Sequence, residues 1–274
     1  MWTGLDIIPG SPDLVAANER HPDLAAALRE LGQRYEEIGG VILVTPEFYD
    51  PGAFPVDGSD PLYEDHSHPG LENVGEVPAR HWDGLPFLAD TLQRTARQFG
   101  VPVALRETLL PVSAWAPLRL MFPTWVPMPL LPVGMTDLGP QNHYRFGLAL
   151  RQAAIEAPKP IAILVATNLT QRQDMYSLDR QRLPREGRQF DETLLHAFET
   201  GNWEEFEQLD PVVRRKARPD QPDGRLWALI RGLSAGLKGD VLSYKETAGA
   251  WGMAVVHYEP PRQGSSAEDA SVAA

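Results

Sequence analysis

The chain has 274 residues, enough for one large α/β domain or two small ones, and its 43% hydrophobic content supports a sizeable core. A net charge of −12, from 37 acidic and 25 basic residues, argues against nucleic-acid binding, which needs a basic footprint. The absence of cysteine excludes disulfides, thiolate metal sites and a cysteine nucleophile, and no apolar run is long enough to span a bilayer. The start, Met1 to Asp6, lacks a basic region followed by an apolar core, so no signal peptide is expected and a cytoplasmic location is the plain reading.

Taken in order, the segments alternate between strand-like and helix-like patterns. Leu5–Ile8 reads as a short strand ended by Pro9 and Gly10. A helix is predicted over His21–Ile38, with Leu24, Leu28, Leu31, Tyr35 and Ile38 on one face and Gly39-Gly40 as its stop. Val41–Val44 is a continuous apolar run, as expected of a strand buried on both faces. Thr45–Asp83 reads as a long loop rich in Pro, Gly and Asp; a loop of that length inside a domain is functional or hides short elements. A helix over Pro86–Gln98 and a strand over Val101–Leu105 follow. Met128–Val133 is a strand candidate, although Pro127, Pro129 and Pro132 would remove ladder donors.

Gln141–Ala157 is predicted helical and Ile161–Ala166 a buried strand. Asn168–Gln189 is polar and arginine-rich, and reads as a solvated loop. Phe190–Thr200 reads as a helix capped by Asp191, and Arg225–Leu237 as an amphipathic helix. Val241–Tyr244 and Gly252–Tyr258 read as a closing strand pair, and 262–274 as a disordered tail. The expected fold class is α/β: a single domain over 1–261, with a central mostly parallel or mixed sheet flanked by helices.

One segment carries more than periodicity. Residues 110–123 read Leu-Pro-Val-Ser-Ala-Trp-Ala-Pro-Leu-Arg-Leu-Met-Phe-Pro. This resembles a motif of the class III extradiol ring-cleavage dioxygenases, the LigB superfamily, which runs roughly Leu-Asp-His-Gly-Ala/Thr-Trp-x-Pro-Leu. Trp115, Pro117 and Leu118 match, but Val112 stands where that family has its acid/base histidine. The likeness extends over Leu5 to Tyr258. Phe190-Asp191 with Leu194, Leu195, Ala197, Phe198 and Gly201 looks like the family's late helix. Leu242 to Tyr244 and Trp251 to Val256 are similar to its closing strands.

The resemblance implies ferrous iron and ring opening, yet the ligand positions depart from it. Pro9, in Ile8-Pro9-Gly10-Ser11-Pro12, stands where members carry a histidine after the first strand. Glu47, in Thr45-Pro46-Glu47-Phe48, stands in place of the histidine of a Ser-Pro-His-Trp pattern. Ala166 to Thr170 supplies no histidine where one branch has Gly-Ser-Gly-x-x-x-His-Asn. Gly224-Arg225 stands where that branch has Glu-His. A non-heme iron oxygenase needs two imidazoles and a carboxylate, which Pro and Val cannot replace. Some two-component members pair a catalytic subunit with a related subunit lacking ligands, and this chain is similar to the second kind.

The resulting expectation is a LigB-like protein that is non-catalytic and needs no cofactor. It would act as a structural or regulatory partner of a catalytic paralogue, as a homo-oligomer, or as a binding protein for a small aromatic ligand. Pro9, Glu47, Val112 and Trp115 are expected to meet in a vestigial pocket beyond the strand ends. The alternative is an active Fe(II)-dependent ring-cleavage enzyme with a relocated metal site. Its candidate ligands are Glu47, His66 and His68, because two histidines two residues apart in an extended segment project to one side. The plain reading of those histidines is an exposed acidic loop. The run Trp115, Met121, Phe122, Trp125 and Met128 could line an apolar pocket, but large apolar residues more often serve packing. No nucleotide-binding or nucleophile-elbow motif is present.

Overall fold

Eight strands form one mixed sheet in the order β6-β3-β7-β2-β8-β1-β10-β9. The strands, in chain order, are β1 (Trp2–Ile8), β2 (Gly40–Tyr49), β3 (Phe54–Val56), β4 (Leu62–Tyr63), β5 (His81–Trp82), β6 (Val103–Leu105), β7 (Leu130–Met135), β8 (Ile161–Ala166), β9 (Asp240–Glu246) and β10 (Gly252–Tyr258). The helices are α1 (Pro22–Gln33), α2 (Pro86–Gln98), α3 (Val112–Met121), α4 (Pro140–Glu156), α5 (Arg185–Thr200), α6 (Glu204–Glu207), α7 (Pro211–Ala217) and α8 (Arg225–Ser234). This computed structural model describes residues 1–16, 20–35, 37–68, 71, 77–123, 128–172, 183–218, 223–247 and 251–260. The segment expected to be a disordered tail, and Trp125, lie outside them.

The centre of the sheet is parallel: β7, β2, β8 and β1 run the same way. β10 and β9 close one edge antiparallel. Strand alternation builds a core on each face. Ile42 and Val44 face one apolar cluster with α2, α4, α5 and α8. Val41 and Leu43 face the other, with α1 and α3. The expected α/β class, with a mixed sheet between helices, is the fold observed.

β7 keeps Pro132 in a central strand at no cost to the main ladder. The Pro132 carbonyl accepts from Asp57 N on the β3 side, at 2.9 Å. In an extended strand a residue's N and O face the same way, so the missing N–H also points toward β3, where β7 pairs through Val56–Val133 alone.

Several expectations are corrected. The first helix ends at Gln33, not Ile38, because Arg34 N and Tyr35 N turn back to Leu31 O and Gly32 O, and the Tyr35 hydroxyl is fixed on Asp6. The Thr45–Asp83 segment contains the end of β2 and three short strands, β3, β4 and β5. α5 begins five residues before Phe190, so Asp191 is buried within the helix and does not cap it. Helices α6 and α7 carried no periodicity long enough to read from sequence. Trp115, Met121, Phe122 and Met128 pack in one core cluster, so they serve packing.

Candidate functional site at the strand ends

The carboxyl ends of β1, β2, β7 and β8 open on one cavity of about 250 Å³. Gly10 lines it just after β1, Glu47 from the end of β2, Met135 from the end of β7, and Ala166 and Thr167 from the end of β8. Open parallel sheets place ligands at this end, where strand termini leave polar backbone and short loops. Gly10 is needed for close approach: a Cβ there would lie 3.0 Å from the Ala166 carbonyl carbon and oxygen. Thr167 N donates to Ile8 O at 2.8 Å and Asn168 Nδ2 to Gly10 O at 2.9 Å, which ties the two strand ends together.

The remaining wall is cationic and hydroxylic. Arg218 is buried; it donates to Thr167 Oγ1 at 3.2 Å and to Leu169 O at 3.3 Å. Arg225, at the first turn of α8, lies 2.7 Å from the Asp223 carboxylate. Ser113, at the start of α3, is buried, lines the cavity, and its Oγ has no hydrogen-bond partner among the described residues. Gln171 and Tyr49 complete the polar lining.

The predicted pocket residues divide between places. Glu47 lines the cavity and is exposed. Pro9 and Val112 are buried beside it, and their chain neighbours Gly10 and Ser113 form the wall; the Val112 side chain packs in the apolar cluster under α3. Trp115 is fully buried one turn along α3 and belongs to a different assembly. Sequence reading singled out neither Ser113 nor Arg218, and it placed Arg225 only as a departure from a motif. Arg218 and Arg225 carry no local pattern that distinguishes them from surface arginines; only the chain path brings them to the strand ends.

His66 and His68 are not gathered with Glu47. Among the described residues, no group of three or more His, Cys, Asp or Glu side chains is placed to hold a metal ion. The His66 ring instead stacks on Trp115, with centroids 5.0 Å apart, and its Nε2 lies 3.0 Å from Glu64 Oε2. Glu64 is a buried hub. It accepts from Arg119 Nε at 3.0 Å, from Arg80 N at 3.0 Å and from Trp82 Nε1 at 3.2 Å, and it closes a second contact with Arg119 Nη2. Arg119 in turn lies over the Trp115 ring, 4.6 Å from its centroid. Burial raises the Glu64 carboxyl, but the Arg119, His66 and Arg80 hydrogen bonds outweigh it and hold the group below its ordinary range.

The iron that the resemblance implies does not fit the residues at the strand ends. Fe(II) sites of ring-opening oxygenases use two imidazoles and one carboxylate. The described lining offers one carboxylate, Glu47, no imidazole, and two guanidinium groups that repel a cation.

The segment after β8 that carries Thr167 and Gln171 is anchored by a buried acid. Asp191 Oδ1 accepts from Thr170 N and from Thr170 Oγ1, both at 2.8 Å, and Oδ2 accepts from the Tyr244 hydroxyl at 2.9 Å. Burial pushes the Asp191 carboxyl up to about 7, against the lowering effect of these bonds. The folded state therefore binds a proton that the unfolded chain has released above pH 4. This contribution is complete below the ordinary carboxylate range and is lost as pH rises through about 7. The gap is worth roughly 4 kcal/mol at most. We expect wild-type stability to fall between pH 5 and about 8, and Asp191→Asn to flatten that slope; denaturant melts across this range check it. A variant that keeps the wild-type slope contradicts the assignment.

These features define a class: an α/β protein with a cavity at the carboxyl ends of a mostly parallel central sheet. The chain belongs to the LigB family, described as the catalytic LigB subunit of aromatic ring-opening dioxygenase, which it matches over residues 15–256. The fold is similar to that in the crystal structure of an uncharacterised protein from Escherichia coli K12, with a TM-score of 0.69 at 16% identity, covering 93% of this chain and 99% of that one. No curated protein sequence matches the chain.

Proposed function

We propose that this LigB-family chain does not open aromatic rings at its strand-end cavity and instead binds a small aromatic or apolar ligand there. It does so alone, as a homo-oligomer, or as a structural or regulatory subunit beside a catalytic relative. The observation that carries this reading is the donor set: Glu47 is the cavity's single described carboxylate, and Arg218 and Arg225 stand opposite a place where iron would need imidazoles. Gln171 and Thr167 give the wall neutral polar groups for a bound molecule. A cytoplasmic location accords with the lack of any described helix long and apolar enough to cross a membrane.

The test is oxygen consumption with catechol and 2-aminophenol after anaerobic loading with Fe(II). The expected result is no uptake above the protein-free control and no ring-opened chromophore. Turnover that falls at least about tenfold in Glu47→Ala would overturn the proposal and make Glu47 a ligand of an active site.

A further inference from the structure

A second cavity, of about 360 Å³, lies among α4, α6, α7 and α8. It is lined by four aromatic side chains, Tyr144, Trp203, Phe206 and Trp227, and by the guanidinium of Arg214. Its size and lining are those of a site for a single-ring organic molecule. The rings are already packed edge to face, Phe206 against Trp203 at 6.0 Å and against Trp227 at 6.3 Å, so the aromatic wall is pre-formed.

Two carboxylates, Glu207 and Asp223, and two guanidiniums, Arg214 and Arg231, line this cavity, and Arg214 alone of the four stands in no described ion pair. Arg231 is paired with Glu207, and Asp223 with Arg225. Arg214 is half-buried and lies over the Phe206 ring at 5.2 Å. Its Nη2 donates to Phe206 O at 2.7 Å. Its Nε is buried without a partner, and no described carboxylate forms an ion pair with it. A half-buried guanidinium without an ion-pair partner gains from a planar anion on its accessible edge.

From these observations we infer that this cavity is a second ligand site, which takes a planar monocyclic carboxylate, its ring among Trp203, Phe206 and Trp227 and its carboxylate on Arg214. The site is separate from the strand-end cavity, since the two sets of lining residues share no member, and it does not rest on the reading proposed for that cavity.

Calorimetric titration of the full chain with benzoate tests it. Saturable one-site binding is expected, with a Kd of about 0.1–1 mM, within reach of a ligand of that size. Benzamide, which has the same shape without the charge, should bind at least about tenfold more weakly. Arg214→Gln should weaken benzoate by a similar factor. Ala228→Phe, which fills the cavity from its α8 wall and leaves Arg214 intact, should abolish binding while thermal melts show a folded protein. Ser113→Val, in the strand-end cavity, should leave it unchanged. Absence of saturation up to about 10 mM, equal binding of benzamide, undiminished binding in folded Ala228→Phe, or loss confined to Ser113→Val would each overturn the inference.

Discussion

Replacing Glu64 with alanine is expected to destabilise the protein by about 3–5 kcal/mol, the range seen when one partner of a buried ion pair is removed. The side chain of Glu64 is fully buried, and it accepts from Arg119, His66, Trp82 and the Arg80 backbone. Without it the Arg119 guanidinium, itself only 14% exposed, loses its carboxylate. Arg119 also covers Trp115, and Trp115 Nε1 donates to Asp65 O at 3.0 Å, so the loss reaches α3 and the β4 segment together. A fall in melting temperature of roughly 10 °C is the expected readout for a chain of this size. Because the folded carboxyl is held below its ordinary range, this stabilisation is present above that range and disappears as pH falls through the folded value. The difference between wild type and variant should therefore shrink in acid. Replacing both partners together, Glu64→Leu with Arg119→Met, should cost less than Glu64→Ala alone. An Ala variant within about 1 kcal/mol of wild type would show that the hub is a surface feature.

Asp6→Ala is expected to have an effect of similar size. Asp6 lies in the middle of β1 and is 1% exposed. Its carboxylate meets His257 Nδ1 at 2.6 Å across the β1–β10 register, and it accepts from the Tyr35 hydroxyl. Alanine would leave two buried polar groups without an acceptor, at a cost of about 1–3 kcal/mol each. Tyr35→Phe removes one donor and leaves the His257 contact, so it should cost less, near 1 kcal/mol. Chemical denaturation of the three proteins tests the ordering; a Tyr35→Phe loss equal to the Asp6→Ala loss would contradict it.

The parts of the fold legible in the sequence were those set by local apolar period and by punctuation. Ile161–Ala166 was read at its observed limits because a run of six apolar residues follows Pro160 and stops at a polar segment. Pro86–Gln98 was likewise read at its limits, with Pro86 at its first turn. Elements decided by distant partners were misread. Asp191 has the residue type of a helix cap, but its acceptors are filled by Thr170 and Tyr244, and the helix begins upstream. Asp6 was absorbed into an apolar strand, although a carboxylate inside a buried run calls for a partner. The spacing of His66 and His68 suggests ligands for a metal together with Glu47. The missed signal was Arg119, a cation four residues beyond Trp115 on an otherwise apolar helix, which required a buried carboxylate such as Glu64.

At the candidate site, motif positions pointed to the right end of the sheet but not always to the lining residue. Glu47 was read directly. Beside Pro9 and Val112 it is Gly10 and Ser113 that face the cavity. Strand-end geometry is shared by a family more widely than its side chains are, so a chain can keep the place while changing the chemistry held there.

The most direct measurement of the central claim is iron stoichiometry. The protein is loaded anaerobically with excess Fe(II), desalted, and analysed for bound metal alongside Glu47→Ala and a His66→Ala, His68→Ala double variant. A cavity with one carboxylate and two arginines is expected to retain well under one iron per chain, with no difference among the three proteins. One equivalent of iron in the wild type, lost on Glu47→Ala, would contradict the account.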